Sequence, residues 1–113
     1  MENLELQCFE IITNAGIAKS SYIEAIQAVK KGKNADVEAL MKEGEDGLLK
    51  GHKAHFNLLQ TTEPLDSTTK MVLVMHAEDQ LMNAETFKIM AKEYLELYQK
   101  VFELEKIVKT LIK

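Results

Sequence analysis

The chain has 113 residues, 46% of them apolar and 28% charged, with one proline, one cysteine and no tryptophan. That size suits one domain with a compact core and is too small for a cofactor-binding domain joined to a substrate domain. Its 14 basic residues are all lysine and face 18 acids, for a net charge of −4. Without arginine a nucleic-acid surface lacks its best bidentate phosphate donor, so nucleic acid is not an expected partner.

A single cysteine, Cys8, leaves no intramolecular disulfide and no cysteine-rich zinc site, and fits a reducing compartment. No N-terminal stretch joins a basic start to an apolar run of signal-peptide length. The longest unbroken apolar run, Met71 to Met75, is far short of the ~20 residues that span a bilayer. The expectation is a soluble, cytoplasmic protein.

Strand signals are missing, and apolar residues recur at helical spacing instead. The first helix is expected over about 3–31. In it Cys8, Ile11, Ala15, Ala18, Tyr22, Ala25 and Val29 alternate steps of three and four, which keeps one face toward a partner helix. Lys30, Lys31 and Gly32 end it, two cations at the negative helix end and a glycine able to take a left-handed cap. Gly16, inside the helix, costs ~1 kcal/mol against alanine and is expected to mark close packing or a bend.

A second helix is expected over about 35–61, capped by Asn34 or Asp36. Its seam runs through Val37, Met41, Gly44, Leu48, Gly51, His55 and Leu58. Gly44, Gly47 and Gly51 weaken it intrinsically but let a neighbouring backbone approach. The run ends at Thr61-Thr62-Glu63-Pro64, after which Asp66, Ser67 or Thr68 can cap a third helix.

That third helix, expected over about 67–112, contains no glycine and no proline. Its seam passes through Leu73, His76, Gln80, Asn83, Phe87, Met90, Tyr94, Leu97, Val101, Leu104, Val108 and Leu111. At ~1.5 Å per residue such a helix is ~68 Å long, more than two shorter helices can cover. Phe102, Ile107 and Ile112 widen its apolar stripe further. The pattern implies an all-α three-helix bundle that oligomerises mainly through the third helix.

His76, Gln80 and Asn83 interrupt the seam with three consecutive polar positions, and such groups must be hydrogen-bonded or left wet. Asp79, three residues after His76, shares its helical face, whereas Glu78 projects to another side. Met75, Leu81 and Met82 frame the segment. Two readings stay open. The polar residues set register in a coiled-coil-like interface, or His76 is a nucleophile that takes a phosphoryl group in line and holds it as phosphohistidine. On the second reading an unpaired Asp79 would repel the phosphate, so it should bind a cation or orient a partner group. His52 and His55 have metal-ligand spacing, but without a nearby Asp, Glu or Cys on their face they make a weak site. No Walker-type, dinucleotide or Ser-His-Asp pattern is present.

The segment Met75-His76-Ala77-Glu78-Asp79-Gln80-Leu81-Met82 resembles the signature of the lactose/cellobiose-class IIA components of the bacterial sugar phosphotransferase system. Asn14-Ala15-Gly16-Ile17-Ala18-Lys19-Ser20 is similar to that family's Asn-Ala-Gly-Asp-Ala-Arg-Ser stretch, Gly51-His52 to its Ala-His, and Tyr94-Leu95-Glu96-Leu97-Tyr98 also fits. The likeness covers nearly the whole chain, as a single IIA domain over 1–113. It implies an antiparallel three-helix bundle assembled as a homotrimer around the third helices. It also implies that His76 accepts phosphate from the phosphocarrier protein and passes it to a IIB component. That step feeds uptake of a lactose/cellobiose-type sugar through the membrane IIC component. Asp79 matches an aspartate whose three copies hold one metal ion per trimer, expected to be Mg2+, with Glu78 and Gln80 as supporting residues. Four departures stand out. Glu78 and Gln80 replace the usual glutamine and histidine around Asp79, Ile17 replaces an aspartate, and Lys19 replaces an arginine. The alternative is a structural or regulatory helical adaptor with no transport role.

Overall fold

The computed structural model describes residues 3–112. Met1, Glu2 and Lys113, which the single domain expected over 1–113 includes, lie outside the described residues. Three helices follow in order, α1 (Asn3–Lys30), α2 (Asn34–Leu59) and α3 (Thr68–Leu111), and no strand occurs among the described residues.

Every α1 seam residue from Cys8 to Val29 is buried, because the three-four spacing holds them on one line of the helix. Its end closes as a Schellman motif: Lys33 N–H donates to Ala28 O at 3.0 Å and Gly32 N–H to Val29 O at 3.0 Å. Gly32 takes φ +74, a left-handed conformation that favours glycine. This turn also decides how α2 starts. Neither Asn34 nor Asp36 caps it; the capping position is Lys33, whose side chain makes no cap bond, because Asn34 is already helical. Asp36 instead places its charge in the first turn, where the helix dipole favours it. For α3, Ser67 is the cap, its hydroxyl accepting from Lys70 N–H at 3.2 Å. A long-range bond ties the α2–α3 loop to the start of α1, with Leu4 N–H donating to Glu63 Oε1 at 3.2 Å.

The core joins all three helices. Leu4, Cys8, Ile11 and Tyr22 of α1 pack with Leu48 and Leu58 of α2 and with Leu81 and the buried alanines of α3. A smaller cluster of Ala28, Val29 and Val37 closes the end nearest the α1–α2 turn. Two glycines set the α1–α2 spacing. A Cβ at Gly44 would lie 2.7 Å from the Tyr22 ring, and one at Gly47 would lie 3.0 Å from the Asn14 carbonyl oxygen. Gly16 differs: it is exposed and a Cβ there meets nothing within 4 Å, so close packing is not its role.

The α3 seam read from the sequence needs correction. The residues that α3 buries are Ala77, Leu81, Ala84 and Ala91, with Leu73, Val74 and Phe87 half-buried beside them. His76, Met90, Tyr94, Leu97, Leu104, Val108 and Leu111 are exposed, and Gln80 and Asn83 half-buried. The inward face is rotated about one residue from that seam, and Leu73 and Phe87 belong to both. The long regular stripe therefore faces outward. Lys19 of α1 lies over the Phe87 ring, 5.1 Å from its centroid, so the cation at this position meets an aromatic face. The molecule is 70 Å long, close to the ~66 Å of α3 alone. Residues 103–112 are exposed throughout, because α3 runs on past its neighbours.

Candidate functional site

The helical repeat puts Val72, Met75, His76, Asp79 and Met82 along one outward strip of α3, since steps of three and four return to the same side. These residues and Glu78 line an open hollow of about 520 Å³. The apolar walls stand in solvent, Met75 at 68% and Met82 at 69% exposure. His76 and Asp79 are exposed, and no hydrogen bond or ion pair holds either one among the described residues. Leu81, expected to frame this segment, is turned into the core instead. Gln80 is half-buried beside the hollow.

Glu78 leaves the strip in the direction its position on the helix dictates, and it finds a partner that sequence reading missed. His55 Nε2 on α2 lies 2.9 Å from Glu78 Oε2. Farther along α3, Glu85 Oε1 is paired with His52 Nε2. Both histidines therefore do have carboxylate neighbours, supplied by α3 across 23 and 33 residues of chain. The four side chains line a cleft of about 280 Å³ with Leu81 and Met82. Each histidine has its own glutamate, and among the described residues no group of three or more His, Cys, Asp or Glu converges on a metal position.

The Glu78 charge is also felt on α1. The buried Cys8 thiol is pushed above the ordinary thiol range, chiefly by burial and then by the charges of Glu78 and Glu5. Cys8 thus stays protonated and is a packing residue, not a nucleophile.

Residues 6–99 match the family described as "PTS system, Lactose/Cellobiose specific IIA subunit". The chain belongs to this family. It is 37% identical over 102 residues to the lichenan-specific phosphotransferase enzyme IIA component of Bacillus subtilis (strain 168), covering 90% of this chain and 93% of that protein. It is 35% identical over 91 residues to the oligo-beta-mannoside-specific EIIA component of the same organism, covering 80% and 83%. Against the lactose-specific EIIA component of Staphylococcus aureus (strain N315) it is 34% identical over 99 residues, covering 88% and 96%. No solved structure matches the chain.

As a IIA component the chain is part of a phosphotransferase, a phosphoryl carrier between proteins. Such a carrier needs a nucleophile that two protein partners can reach in turn, and it needs no substrate cavity of its own. On the outward strip the His76 imidazole is open to approach from solvent. Asp79 alone offers one carboxylate per chain, so a divalent cation held there would take its further protein ligands from other copies.

Proposed function

We propose that His76 is the phosphorylated residue of a IIA carrier serving a lactose/cellobiose-type sugar, loaded by the phosphocarrier protein and unloaded by a IIB component. What carries this reading is one observation: His76 stands exposed in an open hollow walled by Val72, Met75 and Met82. A neutral imidazole nitrogen attacks the phosphorus of the donor's phosphoryl group in line. The new nitrogen–phosphorus bond forms as the donor's bond to phosphorus breaks, and the second transfer runs the same exchange onto the IIB acceptor. Met75 and Met82 flank His76 with adaptable apolar side chains. The half-buried Gln80 is the neutral neighbour of the site, with an amide able to accept or donate.

The bundle is antiparallel and works as a homotrimer around α3. The crosswise pairing of His52 with Glu85 and His55 with Glu78 supports the first point. The exposed apolar strip of α3, from Val72 past Leu104, supports the second. In this trimer Asp79 of each subunit would hold one Mg2+ between the copies. When bound, the cation offsets charge that an apolar interface would otherwise hold unpaired. The carrier acts in the cytoplasm and delivers to the membrane IIC component through IIB; no described helix is long and apolar enough to cross a membrane.

The test is mass spectrometry after incubation with the general phosphotransferase proteins and phosphoenolpyruvate. Wild type gains one acid-labile phosphate, and His76→Ala gains none. An unmodified wild-type chain overturns the reading and leaves a structural or regulatory adaptor in its place.

A further inference from the structure

A carboxylate two residues from a phosphorylated nitrogen is an electrostatic liability, because a phosphoryl group brings close to two negative charges at neutral pH. Glu78 is such a carboxylate. It lines the outward hollow that contains His76, and it also lines the cleft between α2 and α3. Its side chain can therefore be drawn toward either space. In the structure it is drawn toward α2, with Oε2 2.9 Å from His55 Nε2.

The groups around Glu78 leave one donor to hold it there. From α1 the Cys8 thiol feels the Glu78 charge, and burial first, then the charges of Glu78 and Glu5, keep it protonated. Glu5 is itself an acid and repels. From α3, Glu85 is an acid too, and it is taken by His52. His55 remains, with a side chain only 26% exposed, so its ring is held by packing as well as by the bond. Hydrogen bonds to a carboxylate are the stronger kind, and partial burial protects this one from water.

We propose that His55 is a positioning residue for phosphoryl transfer: by donating from Nε2 to the Glu78 carboxylate, it keeps that charge on the α2 side and out of the hollow where His76 receives phosphate. This rests on His76 being the phosphorylated residue. His55 touches neither donor nor acceptor and acts only through Glu78. Without it, the Glu78 side chain is free to occupy the hollow, where it opposes the incoming phosphoryl group.

The experiment compares full-length wild type with His55→Leu, Glu78→Gln and the double variant, phosphorylated by the general phosphotransferase proteins and phosphoenolpyruvate. Initial rates are measured over a range of phosphocarrier concentration, with the thermal midpoint of each protein. His55→Leu is expected to slow phosphorylation about five- to tenfold. Adding Glu78→Gln restores the rate to within about twofold of wild type, although the double variant also lacks the His55–Glu78 bond. Glu78→Gln alone removes the opposing charge, so it transfers faster than His55→Leu. A purely structural role for the pair predicts the reverse: all three variants lose stability, and the double variant stays as slow as His55→Leu. That result, or a wild-type rate in His55→Leu, overturns the proposal. Failure of the carrier reading looks different, because wild type itself then gains no phosphate while the phosphocarrier protein still does.

Discussion

The two faces of α3 are both apolar, yet they are built from different residues. The face turned toward α1 and α2 uses Ala77, Ala84 and Ala91 around a single Leu81, all nearly or fully buried. The face turned outward uses Val72, Met75, Met82, Ile89, Leu97 and Leu104, all largely exposed. Small side chains let helix axes come close, and the same device recurs where Gly44 and Gly47 bring α2 against Tyr22 and Asn14. Large ones left in water forgo roughly 25 cal/mol for every Å² of apolar surface that a partner would bury. The inner face is thus complete within one chain, whereas nothing in that chain covers the outer face among the described residues. His76 and Asp79 both lie on the face that is not complete.

The largest effect should come from breaking the outer face at its polar point. With Mg2+ present, wild type is expected to sediment as a trimer and to dissociate when a chelator removes the cation. Asp79→Leu exchanges a carboxylate for an apolar group, so it should hold its trimer with or without the chelator. A wild-type trimer indifferent to chelator would remove the cation from this account. The inner faces should respond in the opposite currency, through stability. Gly44→Ala forces a Cβ to 2.7 Å from the Tyr22 ring, and that ring is wholly buried. Overpacking of this kind costs about 1–3 kcal/mol, read as a lower denaturant midpoint. Phosphorylation of the folded fraction should be unchanged. If Gly44→Ala melts like wild type, the α1–α2 contact is looser than the small residues imply.

The contrast between the faces also explains what could be read from the sequence. The α1 seam was legible because its large members, Ile11, Tyr22 and Val29, and its alanines fall on one line that has one partner side. On α2 the glycines at 44 and 47 were legible as places of close approach, and Gly32 as a helix stop. On α3 the regular seam of large residues outshone the true inner line, because Ala77, Ala84 and Ala91 sit just one position after His76, Asn83 and Met90. Alanine is at home both in a core and on a surface, so it marks neither face strongly. The outward strip with His76 and Asp79 was legible as a motif, since three-residue spacing places both on one side. The His55–Glu78 and His52–Glu85 pairs were not. Each depends on how α2 and α3 are docked, and residues so far apart in the chain carry no local spacing signal.

The smallest expected effect probes the inner packing through one proton. Tyr22 is 1% exposed, and its buried hydroxyl has no hydrogen-bond partner among the described residues. Burial first, then the charges of Glu45 and Glu85, push its phenol up to about 12 from an ordinary 10.0. The folded state therefore holds this proton more tightly than the unfolded chain does. Below pH 10 both states are protonated and the group leaves stability independent of pH. As pH climbs from 10 toward 12, the unfolded chain releases the proton first and is favoured, so stability falls. At pH 11 the loss is about 1 kcal/mol, from one unit on each side of the two values. Lysines also titrate in this range, so the comparison is with Tyr22→Phe, which keeps the ring against Gly44 and removes only the hydroxyl. That variant should be as stable as wild type or slightly more so at pH 8, because the lost hydroxyl had no partner. Its denaturant midpoint should then fall less steeply than wild type between pH 10 and 11.5. Parallel curves for the two proteins would mean that water reaches the Tyr22 hydroxyl, and that the inner face is not as closed as its small residues make it.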